Sequence, residues 1–243
     1  MKLYQFAFSH FCEKAAWALD FLGLTYTKEN LTPFAHVAVT LPKSGKSSVP
    51  LLEGGKHRVS GSSEIIDYAI EKSNNHELSS GLDQAEIKKW ESRLDNDIGK
   101  PLQTLIYRDA LREPVKLGRL WGGSNAMARA SIQWASGAIG GVLSAKYKIN
   151  DQGISSAEKR LDSCLADLDQ LFTKQKFLLG NKFSRADITM AALLYPLALP
   201  AEHPHADYLY EAGIEELMQP MLVKFRDHRV VNRVREMYSE FRG

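Results

Sequence analysis

The stretch FAFSHFCEKAAWALDFLGL, Phe6–Leu24, joins a short apolar run to a helical pattern at a junction rich in polar chemistry. From Cys12 onward apolar residues recur every three or four positions, which predicts a helix that Gly23 ends. A helix start presents unpaired N–H groups and a partial positive charge. A hydroxyl, an imidazole and a thiol at that start, from Ser9, His10 and Cys12, therefore indicate a place that can hold an anion, including a sulfur anion.

Composition narrows the classes of protein to which this chain can belong. Its 243 residues, 44% of them hydrophobic, suit one large domain or two small ones with a sizeable core. The net charge of +2 gives no electrostatic case for nucleic acid or an anionic membrane. No apolar run approaches the roughly 20 residues of a membrane span, and no signal peptide is expected. Cys12 and Cys164 are the only cysteines, which favours a reduced, cytoplasmic protein.

The first 73 residues alternate between strand and helix signals. Strands are predicted at residues 2–7, 24–30 and 49–52, and a Gly54-Gly55 turn leads into a hairpin partner at 57–60. Residues 31–48, with two prolines and several serines, are predicted to be turn-rich. Ser62 or Ser63 is then predicted to cap a helix whose buried side carries isoleucines and alanine.

Beyond a polar linker the pattern becomes helical. One long apolar stripe over residues 87–105 predicts a helix bent at Pro101, and residues 124–147 predict another. Capping patterns are predicted at 155–158 and 184–187, and a last helix at 220–241. We therefore predict three parts, whose bounds are 1–74 for an α/β domain, 75–84 for a linker and 85–243 for an all-helical domain.

Four motifs in this order resemble a known family. The polar helix start at Ser9, the Val49-Pro50 pair opening a strand and the Ser62-Ser63 helix start resemble the thioredoxin-like half of a glutathione S-transferase. The stretch FLLGNKFSRADITMAALL, which contains the cap at 184–187, resembles that family's helical domain. The resemblance covers nearly the whole chain. It implies an α/β thioredoxin-like N-terminal domain followed by an all-α helical-bundle C-terminal domain.

The resemblance also implies roles for individual residues. Ser9 matches the serine or cysteine that touches the glutathione sulfur in serine-type and cysteine-type members. Val49 matches the residue before a cis-proline, here Pro50, whose backbone pairs with the cysteinyl part of glutathione. Ser63 matches the residue at a helix start that holds the γ-glutamyl carboxylate. Ser62 stands where the family usually has Glu or Gln, a departure that weakens the recognition of the ligand's amino group.

The chemistry of glutathione agrees with this assignment. Its thiol, with a pKa near ~8.5, is only a few per cent ionised at neutral pH, and a transferase needs the thiolate. Lowering that pKa by about two units requires about 2.7 kcal/mol. A hydroxyl hydrogen bond to a charged group supplies roughly 1.5–3 kcal/mol and a helix start roughly 0.3–1 kcal/mol more. Ser9 would thus act as a hydrogen-bond donor, without a general base.

Each of these residues also has a purely structural interpretation. Ser9 can be a helix cap and nothing more, and His10, where many members have proline, can be an exposed loop residue instead of one that tunes the sulfur site. Cys12 can be a redox thiol with a lowered pKa, although its place on the apolar stripe favours a buried structural cysteine. Lys14 matches a basic residue common in this helix of the family, but a solvated helix face explains it equally well. The stretch 203–205, His-Pro-His, is interpreted as a surface loop, and no metal is expected.

Three functions follow from these patterns. The leading hypothesis is a cytoplasmic, homodimeric glutathione transferase with a detoxification role, which uses glutathione as co-substrate and directs its thiolate at a small hydrophobic electrophile. Tyr107, Trp121 and Met127 are candidates for the electrophile site by position alone. One alternative is a binding or interaction module of the same fold without transferase activity. The other is a glutathione-dependent thiol oxidoreductase working through Cys12. Neither nucleic acid nor a membrane is an expected partner.

Overall fold

The computed structural model describes residues 1–242, which form two compact units. Unit 1 comprises Met1–Ser92, Gln175–Leu193 and Arg242, and unit 2 comprises Arg93–Lys174 and Leu194–Phe241. Within the described residues, the helices are all too short or too polar to cross a bilayer. The division of the sequence at residues 74 and 84 stays a prediction.

A four-stranded sheet forms the centre of unit 1. Its strands are β1 (Lys2–Gln5), β2 (Thr27–Asn30), β3 (Leu51–Gly54) and β4 (His57–Ser60), arranged in the order β2-β1-β3-β4. β1 and β2 are parallel, whereas β3 runs antiparallel to both β1 and β4. The four predicted strands and the hairpin at Gly54-Gly55 are therefore confirmed, although β1 and β2 are shorter than predicted and β3 lies two residues further along the chain.

Three helices accompany the sheet. α1 (His10–Phe21) and α3 (Ser62–Ser73) pack against each other and bury apolar side chains. α2 (Val37–Ser44) lies in the stretch predicted to be turn-rich, and that prediction was wrong. Pro42 lies inside this helix, and Gly45 ends it in the left-handed conformation at φ 70°.

The side chain of Arg242 also belongs to unit 1. Its Nε donates to Glu13 Oε1 at 2.6 Å, and Nη1 lies 2.9 Å from Asp20 Oδ2. Its guanidinium lies 5.7 Å from the ring centroid of Trp17. Both members of the Arg242–Glu13 pair are buried, so the end of the described chain is tied to α1.

The predicted long helix over 87–105 is interrupted. α4 (Gln84–Leu94) is followed by a π-helical turn (Asp95–Gly99) and then by α5 (Lys100–Arg112). Pro101 lies in the first turn of α5, directly after the π-helical turn. The irregularity is therefore the π-helical turn that precedes Pro101, and the apolar stripe is buried as predicted except at the half-buried Trp90.

The remaining helices are α6 (Pro114–Gly122), α7 (Ala126–Trp134), α8 (Ser136–Tyr147), α9 (Asp151–Leu171), α10 (Arg185–Ala198), α11 (Ala206–Ala212), α12 (Ile214–Phe225) and α13 (Arg229–Phe241). The helical stretch predicted at 124–147 thus consists of two helices, and the single helix predicted at 220–241 is replaced by the end of α12 and by α13. The capping pattern at 155–158 was also wrong: α9 begins earlier, because Asn150 accepts the N–H of Gly153 at 2.8 Å and is as good a cap as serine. The fold class is nevertheless the predicted one, an α/β sheet domain followed by a mostly helical region.

Candidate functional site

Ser9 is the N-cap of α1, directly after the loop that leaves β1. Its Oγ accepts the N–H of Cys12 at 3.3 Å, and its carbonyl oxygen accepts the N–H groups of Cys12 and Glu13, each at 2.9 Å. Ser9 itself is half-buried. Because its oxygen accepts from the backbone, the hydroxyl keeps a proton that can be donated to another group.

Cys12 is a buried thiol, as its place on the apolar stripe predicted. It is 1% exposed, and this burial raises its pKa to about 11, although a hydrogen bond with Ser9 opposes the shift. The pKa reduction typical of a thiol in the first turn of a helix is therefore absent, since loss of hydration outweighs the helix start. A protonated thiol is a weak acceptor, so a ligand thiolate would compete effectively for the Ser9 hydroxyl proton.

His10 is the first residue of α1 and is also buried, with 4% of its surface exposed. Its ring lies against Phe11, at 4.7 Å between ring centroids. The interpretation of His10 as an exposed loop residue was therefore wrong.

The Val49–Pro50 peptide bond is cis, as the resemblance implied. Pro50 is buried and Val49 half-buried, and the carbonyl oxygen of Pro50 accepts the N–H of Gly61 at 3.1 Å. The ladders that pair β3 with β1 and β4 begin only at Leu51. The backbone of Val49 thus lies just beyond the sheet, where an extended ligand can pair with it.

The start of α3 is capped by neither serine, contrary to the prediction. Gly61 occupies the N-cap without any side-chain hydrogen bond, and Ser62 and Ser63 form the first turn. Gly61 has φ 116°, a conformation that L side chains rarely adopt. The first N–H groups of α3 are therefore not covered by a capping side chain, which suits an anionic ligand.

Lys14 is the main site residue whose environment the sequence did not reveal. Its side chain is fully buried, so the interpretation as a solvated helix face was wrong. Nζ donates to Ser63 Oγ at 2.8 Å and lies 3.8 Å from Glu91 Oε1. Because Ser63 Oγ accepts from Lys14, the Ser63 hydroxyl can donate its own proton outward.

A buried polar network holds Lys14 in place. Glu91 Oε2 lies 3.0 Å from Nη2 of Arg185, and Oε1 accepts the hydroxyl of Thr189 at 3.3 Å. Arg185 also donates to Asp67 Oδ1 at 2.5 Å and to the carbonyl oxygen of Ser63 at 3.3 Å. Although burial opposes ionisation of Asp67, hydrogen bonds from Lys88 and Arg185 keep the pKa of its carboxyl below the usual value. All of these residues belong to unit 1.

The predicted cap at Ser184 and Asp187 fixes Arg185 in this network. Asp187 Oδ2 accepts the hydroxyl of Ser184 at 2.7 Å and its N–H at 3.0 Å, while Oδ1 accepts the N–H of Leu178 at 2.8 Å. Burial raises the pKa of Asp187 to about 6, against the effect of these three donors. The cap is thereby confirmed, and it sets the first residue of α10, Arg185, toward Glu91.

The three candidates for an electrophile site differ in their surroundings within unit 2. Tyr107 and Trp121 are buried, with their rings edge to face at 5.9 Å. Met127, in contrast, is 79% exposed. Met127 thus lacks the buried surroundings of the other two, and a role for any of the three stays a prediction.

The His203-Pro204-His205 stretch departs from the expected surface loop. His203 is 4% exposed, and its ring lies 4.2 Å from that of Tyr195 between centroids. Its Nδ1 accepts the N–H of His205 at 3.1 Å. Within residues 1–242 no group of three or more metal-ligating side chains is found.

Comparison with known proteins agrees with this geometry. Residues 3–77 match the family model of the glutathione S-transferase N-terminal domain. The fold is that of the glutathione S-transferases. No curated protein sequence matches the chain.

Solved glutathione S-transferase structures match the chain along most of its length. One from Rhodospirillum rubrum F11 is 17% identical with a TM-score of 0.62, over 98% of this chain and 86% of its own. Glutathione transferase F7 from Populus trichocarpa is 16% identical with a TM-score of 0.58, over 97% of both chains. Glutathione S-transferase-I bound with lactoylglutathione is 19% identical with a TM-score of 0.56, over 97% of this chain and 98% of its own. These likenesses show the glutathione S-transferase fold, and together with the matched N-terminal domain they support that family.

Proposed function

We propose that this chain is a serine-type, cytosolic glutathione S-transferase that lowers the thiol pKa of bound glutathione and directs the thiolate at a small hydrophobic electrophile. The observation that carries the proposal is the Ser9 hydroxyl at the start of α1, whose oxygen is held by the Cys12 N–H while its proton is available to a ligand sulfur. Glutathione is the co-substrate in this proposal, and no metal takes part.

Ser9 acts by favouring the ionised form of the sulfur. A hydrogen bond to a thiolate is charge-assisted and worth roughly 1.5–3 kcal/mol, and the helix start adds roughly 0.3–1 kcal/mol. Together these interactions match the about 2.7 kcal/mol that a pKa reduction of about two units requires. The proton leaves to solvent before the reaction.

The backbone of Val49, before cis-Pro50, pairs with the cysteinyl part of the extended tripeptide in this proposal. The start of α3 holds the γ-glutamyl carboxylate. This carboxylate accepts hydrogen bonds from the Ser63 hydroxyl and from the uncapped N–H groups of the helix. The charges of the buried network favour an anion there, because its fully buried members are two cations, Lys14 and Arg185, and one carboxylate, Glu91. Ser62, in place of an acidic residue, contributes no charge toward the ligand's amino group.

The chemical step is a direct displacement or addition. The thiolate sulfur attacks an electrophilic carbon and forms a C–S bond. In a displacement the leaving group departs with the electron pair of the broken bond, and in an addition a solvent proton completes the product. Ser9 remains a hydrogen-bond donor throughout and forms no covalent bond.

Two alternatives remain distinct from this proposal. A binding module without transferase activity is favoured by Ser62 and by His10, where many members of the family have an acidic residue or glutamine and a proline, respectively. A thiol oxidoreductase through Cys12 requires an accessible thiolate, and the burial and raised pKa of Cys12 weigh against it. In this proposal the protein is a homodimer.

The decisive experiment combines glutathione binding with ultraviolet titration of the bound thiol in the wild type and in Ser9→Ala. We expect the wild-type complex to ionise well below free glutathione, and Ser9→Ala to raise the thiol pKa by about one to two units. Asn150→Ala is the matched control, since it removes an equivalent helix cap far along the chain from any proposed ligand contact. An unchanged thiol pKa in Ser9→Ala would remove Ser9 from the mechanism, and absence of glutathione binding by the folded wild type would favour the binding module.

A further inference from the structure

The side chain of Arg242 binds two carboxylates on one face of α1. Glu13, Trp17 and Asp20 are spaced four and three residues apart and therefore share that face. Nε of Arg242 donates to Glu13 Oε1 at 2.6 Å and Nη2 donates to Oε2 at 3.4 Å, while Nη1 lies 2.9 Å from Asp20 Oδ2. The guanidinium also lies over the ring of Trp17. One arginine thus joins two acidic side chains of the helix that Ser9 caps.

The two carboxylates differ in their access to water. The side chains of Glu13 and Arg242 are only 4% and 5% exposed, respectively. Asp20 is 35% exposed, and it also accepts the hydroxyl of Tyr26 at 2.7 Å and lies 3.6 Å from the Lys28 ammonium. Buried charges are screened much less by water and salt than exposed ones. The charge of Glu13 therefore acts on its surroundings more strongly than that of Asp20.

Glu13 lies where a negative charge opposes a sulfur anion. It is in the first turn of α1, and its N–H donates to the carbonyl oxygen of Ser9 at 2.9 Å. One turn of helix, about 6 Å of rise, separates the two residues. A nearby negative charge disfavours the ionised form of a thiol. The position of Glu13 thus works against the role proposed for Ser9, and a cation is needed to offset its charge.

Two neighbouring groups respond to these charges. Burial raises the pKa of the Cys12 thiol to about 11, hydrogen bonds oppose this shift, and the charge of Glu13 adds to it. Burial and Asp20 raise the pKa of the Tyr26 hydroxyl, while Arg242 lowers it and Glu13 raises it. A sulfur in the first turn of α1 is therefore sensitive to Glu13, and Arg242 acts in the opposite direction.

We propose that Arg242 is a positioning residue for the glutathione thiolate, because its guanidinium offsets the charge of Glu13 and so keeps the start of α1 favourable to a sulfur anion. The inference rests on the proposed function, since it concerns the sulfur bound beside Ser9. It adds a control of thiol ionisation by a residue 229 positions away from Glu13 in the chain. Arg242 and Glu13 form no bond with glutathione and exchange no proton with it.

Removal of either charge tests the inference, with ultraviolet titration of the bound glutathione thiol as the measurement. Arg242→Gln takes the guanidinium away from Glu13 and should raise the pKa of the bound thiol by about one unit, the effect of a charge about 10 Å away at an effective dielectric constant of about 20. Glu13→Gln keeps the guanidinium and should lower the thiol pKa, by less than one unit because Asp20 still pairs with Arg242. Loss of packing alone would move both variants toward free glutathione, so opposite directions identify the charges as the cause.

Further variants separate charge from structure. Arg242→Lys keeps a cation and should leave the thiol pKa close to that of the wild type. The double variant with Glu13→Gln and Arg242→Gln removes both charges and should also return close to it. Arg58→Gln is the matched control, because it breaks an ion pair of similar length in unit 1, 2.7 Å to Glu53, at the end of β3 away from Val49. It should leave the thiol pKa unchanged. Circular dichroism establishes that each variant is folded, and if Arg242→Gln is not, the direction of the shift in Glu13→Gln decides.

The possible results distinguish this inference from the proposed function. A thiol pKa that Arg242→Gln leaves unchanged, or that both single variants raise, would overturn the role of Arg242. A wild-type complex whose thiol ionises like free glutathione would overturn both proposals. A low wild-type pKa that rises in Ser9→Ala but is the same in Arg242→Gln and Glu13→Gln would refute the role of Arg242 and leave the transferase standing.

Discussion

Glu91→Gln is expected to destabilise the protein strongly, because it removes a buried negative charge that lies close to two buried cations, Lys14 and Arg185. Glu91 lies 3.0 Å from Arg185 Nη2 and 3.8 Å from Lys14 Nζ. At an effective dielectric constant of about 20, these distances correspond to gross attractions of about 5 and about 4 kcal/mol. The desolvation of the carboxylate offsets part of this attraction. Breaking a buried pair in this way typically costs 3–5 kcal/mol in net terms.

The expected loss is therefore about 3–5 kcal/mol in the free energy of unfolding, or a melting temperature lower by about 6–20 °C for a chain of this size. Glutamine keeps the shape of the side chain and can still accept the Thr189 hydroxyl, so the effect isolates the charge. Urea unfolding followed by circular dichroism and thermal melting measure it.

Asp67→Asn is the matched control for this prediction. Asp67 also pairs with Arg185, but its side chain is 50% exposed, so we expect a cost below about 1 kcal/mol. If Glu91→Gln costs no more than the control, the buried carboxylate does not compensate Lys14 and Arg185, and the reasoning fails. A double variant with Lys14→Met should cost less than the sum of the two single changes, since the two charges compensate each other.

Three further outcomes are expected. Burial raises the pKa of Asp187 from 3.8 to about 6, so the stability linked to its protonation is complete below pH 3.8 and is lost as the pH rises through about 6. The free energy of unfolding should therefore fall with pH across that interval, and Asp187→Asn should remove this fall. An unchanged pH dependence in Asp187→Asn would assign it to other groups. Cys12, with a pKa raised to about 11 by burial, should resist thiol reagents at pH 8 until the protein unfolds, and rapid reaction of the native protein would favour the oxidoreductase. Gly61→Ala should cost about 1–3 kcal/mol in urea unfolding, because φ is 116° at this position and the new Cβ would lie 2.1 Å from Glu64 Oε2. The control, Gly137→Ala, places its Cβ in open space at an ordinary φ and should not be destabilising. Equal costs for the two variants would contradict the reasoning.

Local signals in the sequence predicted the parts of the site that depend on neighbouring residues. The three-residue spacing of Ser184 and Asp187 predicted their cap, and the apolar spacing after Ser9 predicted α1 and the burial of Cys12. The cis peptide before Pro50 came from the family resemblance, since most X–Pro bonds are trans. The Ser62-Ser63 helix start was located correctly, although Gly61 takes the capping position.

Long-range packing decided what the sequence could not predict. Lys14 is buried because its partners, Ser63 and Glu91, lie 49 and 77 positions away in the chain. Nothing in the local pattern distinguishes it from a solvated lysine. For Cys12 the sequence left a lowered pKa open as the alternative to burial, and the surrounding core raises the pKa instead.

Unit 1 is built from segments far apart in the chain, and this has a consequence for folding during synthesis. The ribosome releases Met1–Ser92 long before Gln175–Leu193, and Arg242 emerges after both. At about 5–20 residues per second, the interval between residues 92 and 193 is roughly 5–20 s. During that time the nascent sheet and α1 lack Arg185 for Glu91, and they wait still longer for the Arg242 that neutralises Glu13. The rate of translation between residues 92 and 242 therefore sets how long Glu91 and Glu13 lack their arginine partners and remain accessible to chaperones.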